Sequence, residues 1–357
     1  MQRWIWLLVI VLASTALAES HPRPGIDFAP RGYLCLRAGG TLEINGQLDE
    51  WDWDRARVSE TFVDIEGNLK PAPPFATTVR MLWDDTYFYF AAEMTEPHVW
   101  ATLTERDAII FHDNDFEIFI DPDGDTHDYF ELEVNALNTV WDLFLERPYR
   151  DGGPAVHEWD IDGLLTAVSV DGTLNRSGDL DTGWTAEVAI PWTALAERAG
   201  VACPPRDGDR WRINFSRVEW AVEADEHGYH KLDQPESNWV WSPQGLINMH
   251  YPEMWGVVEF KDSKITVDSQ TVEPDRVERA GWALRQIYYA QHEYRAQEGE
   301  FTDFRLKLDL DRVELDTSWI GWPPRLHAAA DTFAAEIRVT GHDDLTIDQT
   351  GRLWWTK

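Results

Sequence analysis

Apolar and polar residues alternate with a period of two through residues 76–136, in runs broken by acidic turns. Val79, Met81 and Trp83 alternate with Arg80 and Leu82, Asp84-Asp85-Thr86 turns the chain, and Phe88, Phe90 and Ala92 return. Phe116, Ile118 and Ile120 share one face of the next run, with Asp115, Glu117 and Phe119 on the other. In the run after it Leu132 and Val134 point inward, which puts Glu131, Glu133 and Asn135 together on the outer face. This is the period of half-buried antiparallel strands. Residues 138–144 supply a hairpin partner, and similar runs recur at 164–170, 184–190, 211–218, 239–242 and 255–260. Pro191 ends a strand and opens a short helix over 192–198, which Gly200 stops. Roughly ten short strands with Gly- and Asp-rich turns predict an all-β fold. Its form is a two-sheet antiparallel β-sandwich, jelly-roll-like, over residues 31–260.

From residue 261 the pattern changes. Pro274-Asp275 precedes Val277, Ala280, Leu284, Ile287, Tyr288 and Tyr294, a helical spacing that Gly299 terminates. Short apolar runs follow at 304–310, 333–339 and 353–355, so residues 261–357 read as a small α+β C-terminal extension. The words LRQIYYAQHEYRAQEGEFT resemble the junction of helix and sheet in pilin-like domains, over too short a stretch to imply a function.

At the other end, Arg3, the apolar stretch 4–12 and Ala16-Leu17-Ala18 make residues 1–18 a secretory signal peptide. Its apolar part is short for a membrane span, so an uncleaved anchor is the lesser alternative. The mature chain is expected to be exported, without a transmembrane segment, behind a Pro-rich disordered leader over 19–30. The net charge of −33 argues against nucleic acid and anionic membrane surfaces as partners. Twenty tryptophans exceed what a core of this size needs and suit aromatic platforms for a neutral ligand. Cys35 and Cys203 either pair, as an exported chain permits, or remain two thiols.

The stretch WDDTYFYFAAEM followed by NDFEIFIDPDGD, with the opening TLEINGQLDEW at 41–51, resembles the family 9 carbohydrate-binding modules. These belong to a wider group of β-sandwich domains that includes cytochrome-like haem binders. The resemblance implies two aromatic rings around a terminal sugar, with carboxylate, amide and guanidinium groups on its hydroxyls. Phe111 lies nearest the first ring position, Glu117 matches the carboxylate and Asn135 the amide, while Glu133 stands where the family has Arg. The second ring position falls at Met249-His250, so His250 takes that place. Trp239, Trp241 and Asn238 are expected at the same end of the fold, and Arg217 to replace the missing guanidinium.

Three further chemistries are open. The loop with Asp121, Asp123, Asp125 and Asp128 around Gly124 offers hard oxygens that suit Ca²⁺, which the resemblance also implies. An Asx-rich turn is its plain alternative. Haem would use Met249, His250 or His112, but neighbours on a strand face opposite ways and cannot share one iron. Glu117 and Glu133 could serve a glycoside hydrolase. Against an enzyme, the chain has no nucleophile elbow, zinc motif or phosphate loop. The expectation is an exported, non-catalytic carbohydrate-binding protein that supports polysaccharide breakdown, its oligomeric state open.

Overall fold

The computed structural model describes residues 21–264, 271–308, 310 and 318–356, so the signal peptide read at 1–18 lies outside the described residues. The sandwich strands are β1 (Gly32–Arg37), β2 (Thr77–Trp83), β3 (Tyr87–Thr95), β4 (Asp115–Asp121), β5 (Tyr129–Asn135) and β6 (Val140–Leu145). They continue as β7 (Leu165–Asp171), β8 (Gly183–Pro191), β9 (Arg210–Glu219), β10 (Ser237–Val240) and β11 (Gly256–Lys261). All belong to one hydrogen-bonded sheet whose path runs β6-β5-β4-β9-β11-β1-β2-β3-β8-β7, with β10 paired to β9.

The sheet curls so that its two halves face each other. Phe88 and Phe90 of β3 meet Trp211 and Phe215 of β9 edge-on, at 6.3 and 5.8 Å between ring centroids. Inward residues of both halves form one core, including Met81, Ile118, Leu132, Val188 and Phe260. The halves join through β1, which pairs in parallel with both β11 and β2, while the other ladders of the path are antiparallel. A sequence pattern reports which face a residue takes, not whether two layers share a ladder, so this closure is new information.

Cys35 is buried in that core and Cys203 half-buried in its margin, and both are free thiols. Burial pushes the Cys203 thiol up to about 12.

The extension is a helix on a sheet. Helix α1 (Arg276–Glu298) starts at a capping box, with Asp275 accepting from the Glu278 N–H and Glu278 accepting from the Asp275 N–H, and ends at Gly299 in the left-handed region. Strands β12 (Arg325–Ala328), β13 (Phe333–Arg338), β14 (Asp344–Asp348) and β15 (Leu353–Thr356) form an antiparallel sheet in that order. Leu284, Ile287 and Tyr288 of α1 pack on Phe333, Ile337 and Ile347. Within the apolar run expected at 304–310 the described residues form no strand; Arg305–Lys307 is a single 3₁₀ turn with Leu306 exposed.

Residues 21–30, expected as a disordered leader, instead run along the junction between sandwich and extension. Phe28 stacks on Trp282 at 4.6 Å, the Gly25 N–H donates to Gly245 O, and Pro22 O accepts from the Tyr251 hydroxyl. Apolar Ile26 and Phe28 anchor a segment whose prolines and polar residues alone suggested disorder. No helix among the described residues is long and apolar enough to cross a membrane.

Candidate functional site

Register places the predicted acids as expected. Glu117 of β4 pairs across from Glu133 of β5, Asp115 from Asn135, and Ser216 of β9 from Glu117. All point away from the main core, toward a second apolar cluster of Phe119, Tyr129, Trp141, Met249 and Trp255. The 3₁₀ turn Ile110–His112 crosses this face. The Phe111 N–H donates to Glu133 Oε2 at 3.0 Å, and Phe111 O accepts from Trp220 Nε1 at 2.8 Å. Phe111, Glu117 and Glu133 therefore meet, but under cover: Glu117 is 5% and Glu133 1% exposed.

Burial dominates the electrostatics here. It raises Glu117 to about 7, the Ser216 hydroxyl pulling the other way. Asp115, Glu131 and Glu133 lie well above the usual carboxylate range, first through burial and then through the charge of Glu117.

The other expected ligand groups are committed elsewhere. The Asn135 amide donates to Leu103 O and Asp113 Oδ2, and its oxygen accepts from the Leu137 and Thr139 N–H groups. It ties a turn together and is closed to a sugar. Arg217 pairs in register with inward Phe116, which puts it on the core side, opposite Glu117. There it bonds Glu96 at 2.6 Å, Glu219 at 2.9 Å and Thr95 O at 2.9 Å, under the Trp239 ring. Trp239 and Trp241 are core residues, 5% and 0% exposed, not stacking platforms. Gly256 explains how tightly Trp241 fits, since a Cβ there would lie 2.2 Å from its ring. Asn238, half-buried, pairs with Val218 and so stands on the acid face. His250 lies in a loop, not on a strand, and its Nδ1 bonds the Tyr129 hydroxyl at 2.9 Å. Burial and then Arg150 lower its pKa to about 3.

In the acidic loop, Asp121, Asp123 and Asp125 bring oxygens within 4.8 Å of one another; Asp128 is not among them. Asp121 accepts from the Gly124 and Thr126 N–H groups, and Asp125 from the His127 N–H. The positive charge at the loop is Arg352 of the extension, 2.8 Å from Asp125 and 3.7 Å from Asp128.

An open concavity lies elsewhere. A cleft of about 920 Å³ separates the sandwich from the extension, within the size range of small-ligand sites. Phe28, Trp282, Trp354 and Trp355 give it aromatic surface, and Arg210, Arg212 and Arg352 line it together with acids that include Asp123, Asp275, Glu278 and Asp348. Arg212 donates to Trp255 O at 2.9 Å and sits 5.7 Å from the Phe28 ring. Sequence reasoning missed this lining. The available signal was Trp282, an aromatic that falls off the apolar stripe of α1 and is only partly buried.

Comparison with known proteins decides the family. A family model described as carbohydrate family 9 binding domain-like matches residues 44–221. The sandwich is a family 9-like carbohydrate-binding domain. Exoglucanase XynX of Acetivibrio thermocellus is 24% identical over 156 residues, 44% of this chain and 12% of the relative. Endo-1,4-beta-xylanase A of Thermotoga maritima is 26% identical over 161 residues, again 44% of this chain and 12% of the relative. This chain thus aligns with 12% of the length of these curated relatives, the part that carries the family 9-like domain here. Among solved structures, a putative carbohydrate-binding protein from Bacteroides uniformis superposes with a TM-score of 0.48 at 17% identity, covering 65% of this chain and 99% of that one. A family 9 module from Caldicellulosiruptor kristjanssonii in complex with cellotriose gives 0.42 at 16%, covering 68% and 98%.

Proposed function

We propose that this protein recognises a poly- or oligosaccharide without cleaving it, as an exported partner of polysaccharide breakdown, and that the cleft beside the family 9-like domain is where it does so. The observation that carries this reading is the cleft's lining, which brings Phe28, Trp282, Trp354 and Trp355 together with charged hydrogen-bonding groups around about 920 Å³. Sugar rings present C–H surface to aromatic faces and hydroxyls to charged partners, so this combination suits them. Hydrolysis is the less supported reading, because Glu117 and Glu133 are closed to a polymer chain. The Phe111 shelf is the second location, favoured by half-buried Phe111, whose backbone N–H meets Glu133.

A glycan array with the full chain beside Trp282→Ala, Trp354→Ala and Phe111→Ala tests both. The cleft variants are expected to lose at least about tenfold in affinity, some 1.4 kcal/mol, with Phe111→Ala unchanged. Loss only in Phe111→Ala moves the site to the shelf. An array without a hit overturns carbohydrate recognition, and release of shorter sugars from a bound glycan overturns the non-catalytic role.

A further inference from the structure

We propose that Asp115, Glu117 and Glu133, with Glu131 beside them, hold a divalent cation of the oxygen-preferring kind, such as Ca²⁺, on the face of the sheet beneath Phe111. Asp115, Glu117 and Glu133 each bring a carboxylate oxygen within 4.8 Å of the others. Ligand oxygens about 2.3–2.6 Å from one Ca²⁺ are spaced in this way. Strand register produces the cluster, since Glu117 faces Glu133 directly and Asp115 precedes Glu117 by one pleat on the same face.

A second observation points to something held there. Glu131, outside the triad and 6% exposed, has an Oε2 with no hydrogen-bond partner, and so has Oδ2 of the fully buried Asp115. A buried polar oxygen left without a donor is costly, and native folds rarely keep one without an ion, water or partner to meet it. Glu131 stands one pleat along β5 from Glu133 and interacts with both Glu117 and Glu133. Among the described residues no Lys, Arg or His is paired with any of the four acids. The acidic loop is the instructive contrast, because its oxygens already accept backbone N–H groups and Arg352. The cluster lacks the cation that the loop has.

The site does not depend on the saccharide reading, and it names different residues from the cleft. Its test uses the full chain stripped with EDTA, then titrated with Ca²⁺ alone, with Mg²⁺ as a separate arm. Calorimetry reads binding, thermal unfolding reads stabilisation, and Tb³⁺ luminescence sensitised by Trp141 or Trp255 reads proximity. The parent is expected to bind the ion and melt higher with it. Asp115→Asn and Glu133→Gln should bind at least about tenfold more weakly while melting in EDTA no lower than the parent, which separates a lost ligand from a lost fold. Asp123→Asn should bind as the parent does. Absence of Ca²⁺ and Mg²⁺ binding by the parent, or binding lost only in Asp123→Asn, overturns the proposal.

Discussion

Two regions of this molecule bury carboxylates, and they treat them oppositely. At the seam between sandwich and extension, Arg150 donates to both oxygens of Glu253 at 2.8 Å, and the Tyr289 hydroxyl donates to Glu253 at 2.6 Å. Burial alone would raise Glu253, but Arg150, Arg285 and these hydrogen bonds outweigh it and hold the carboxyl below its ordinary range. On the acid face Glu117, as deeply buried, has only other acids and a serine hydroxyl nearby and rises to about 7. The same burial gives opposite protonation because one site carries its cation in the chain and the other does not. An acid that the chain itself neutralises is part of the fold's framework; one that it leaves bare points to something from outside.

The sharpest way to break this comparison is at the seam. Arg150→Met leaves Glu253 buried without its partner and is expected to cost about 3–5 kcal/mol, read from urea unfolding midpoints. The acid face should respond with the opposite sign. In EDTA, Glu131→Gln replaces a buried carboxyl oxygen that lacks a donor with an amide able to donate to its acidic neighbours, and is expected to stabilise by about 1–2 kcal/mol, an advantage that added Ca²⁺ reduces.

Arg217 is intermediate, one guanidinium between two acids, Glu96 and Glu219. Burial raises Glu219 to about 8, opposed by Arg217 and reinforced by Glu96. An acid whose folded pKa exceeds its unfolded one near 4.5 keeps its proton longer when folded. Its contribution to stability is therefore full at low pH and is lost as pH rises from about 4.5 through about 8. Glu219→Gln should flatten that part of the stability profile, checked by unfolding across this range. The smallest effect belongs to an exposed pair. Glu336→Gln, which removes the Arg325 partner on β13, should change stability by at most about 0.5 kcal/mol.

Much of this architecture was legible because alternation is a local property. Phe116, Ile118 and Ile120 against Asp115 and Glu117 reads the same in the sequence and in the sheet, and so does the start of α1 at Asp275 with its end at Gly299. What was not legible depends on partners far along the chain. Trp239 and Trp241 look alike as platform or core until Tyr33, Phe75 and Phe215 are seen against them. Arg217 seemed free to reach a ligand because Glu96 and Thr95 lie far back in the sequence. That Arg352 meets the acidic loop was hidden too, because it follows so late in the chain. The cleft was hidden for the same reason: Phe28, Trp282 and Trp354 come from three separate segments.

The parallel pairing of β1 with β11 has a consequence for how the molecule comes into being. The strand made first finds one neighbour only when the last strand of the domain has been made, so the curl cannot close while the chain is still growing through its middle. Until then both margins of the ladder lie open to other chains, and a product that stops short of residue 256 keeps one margin open for good.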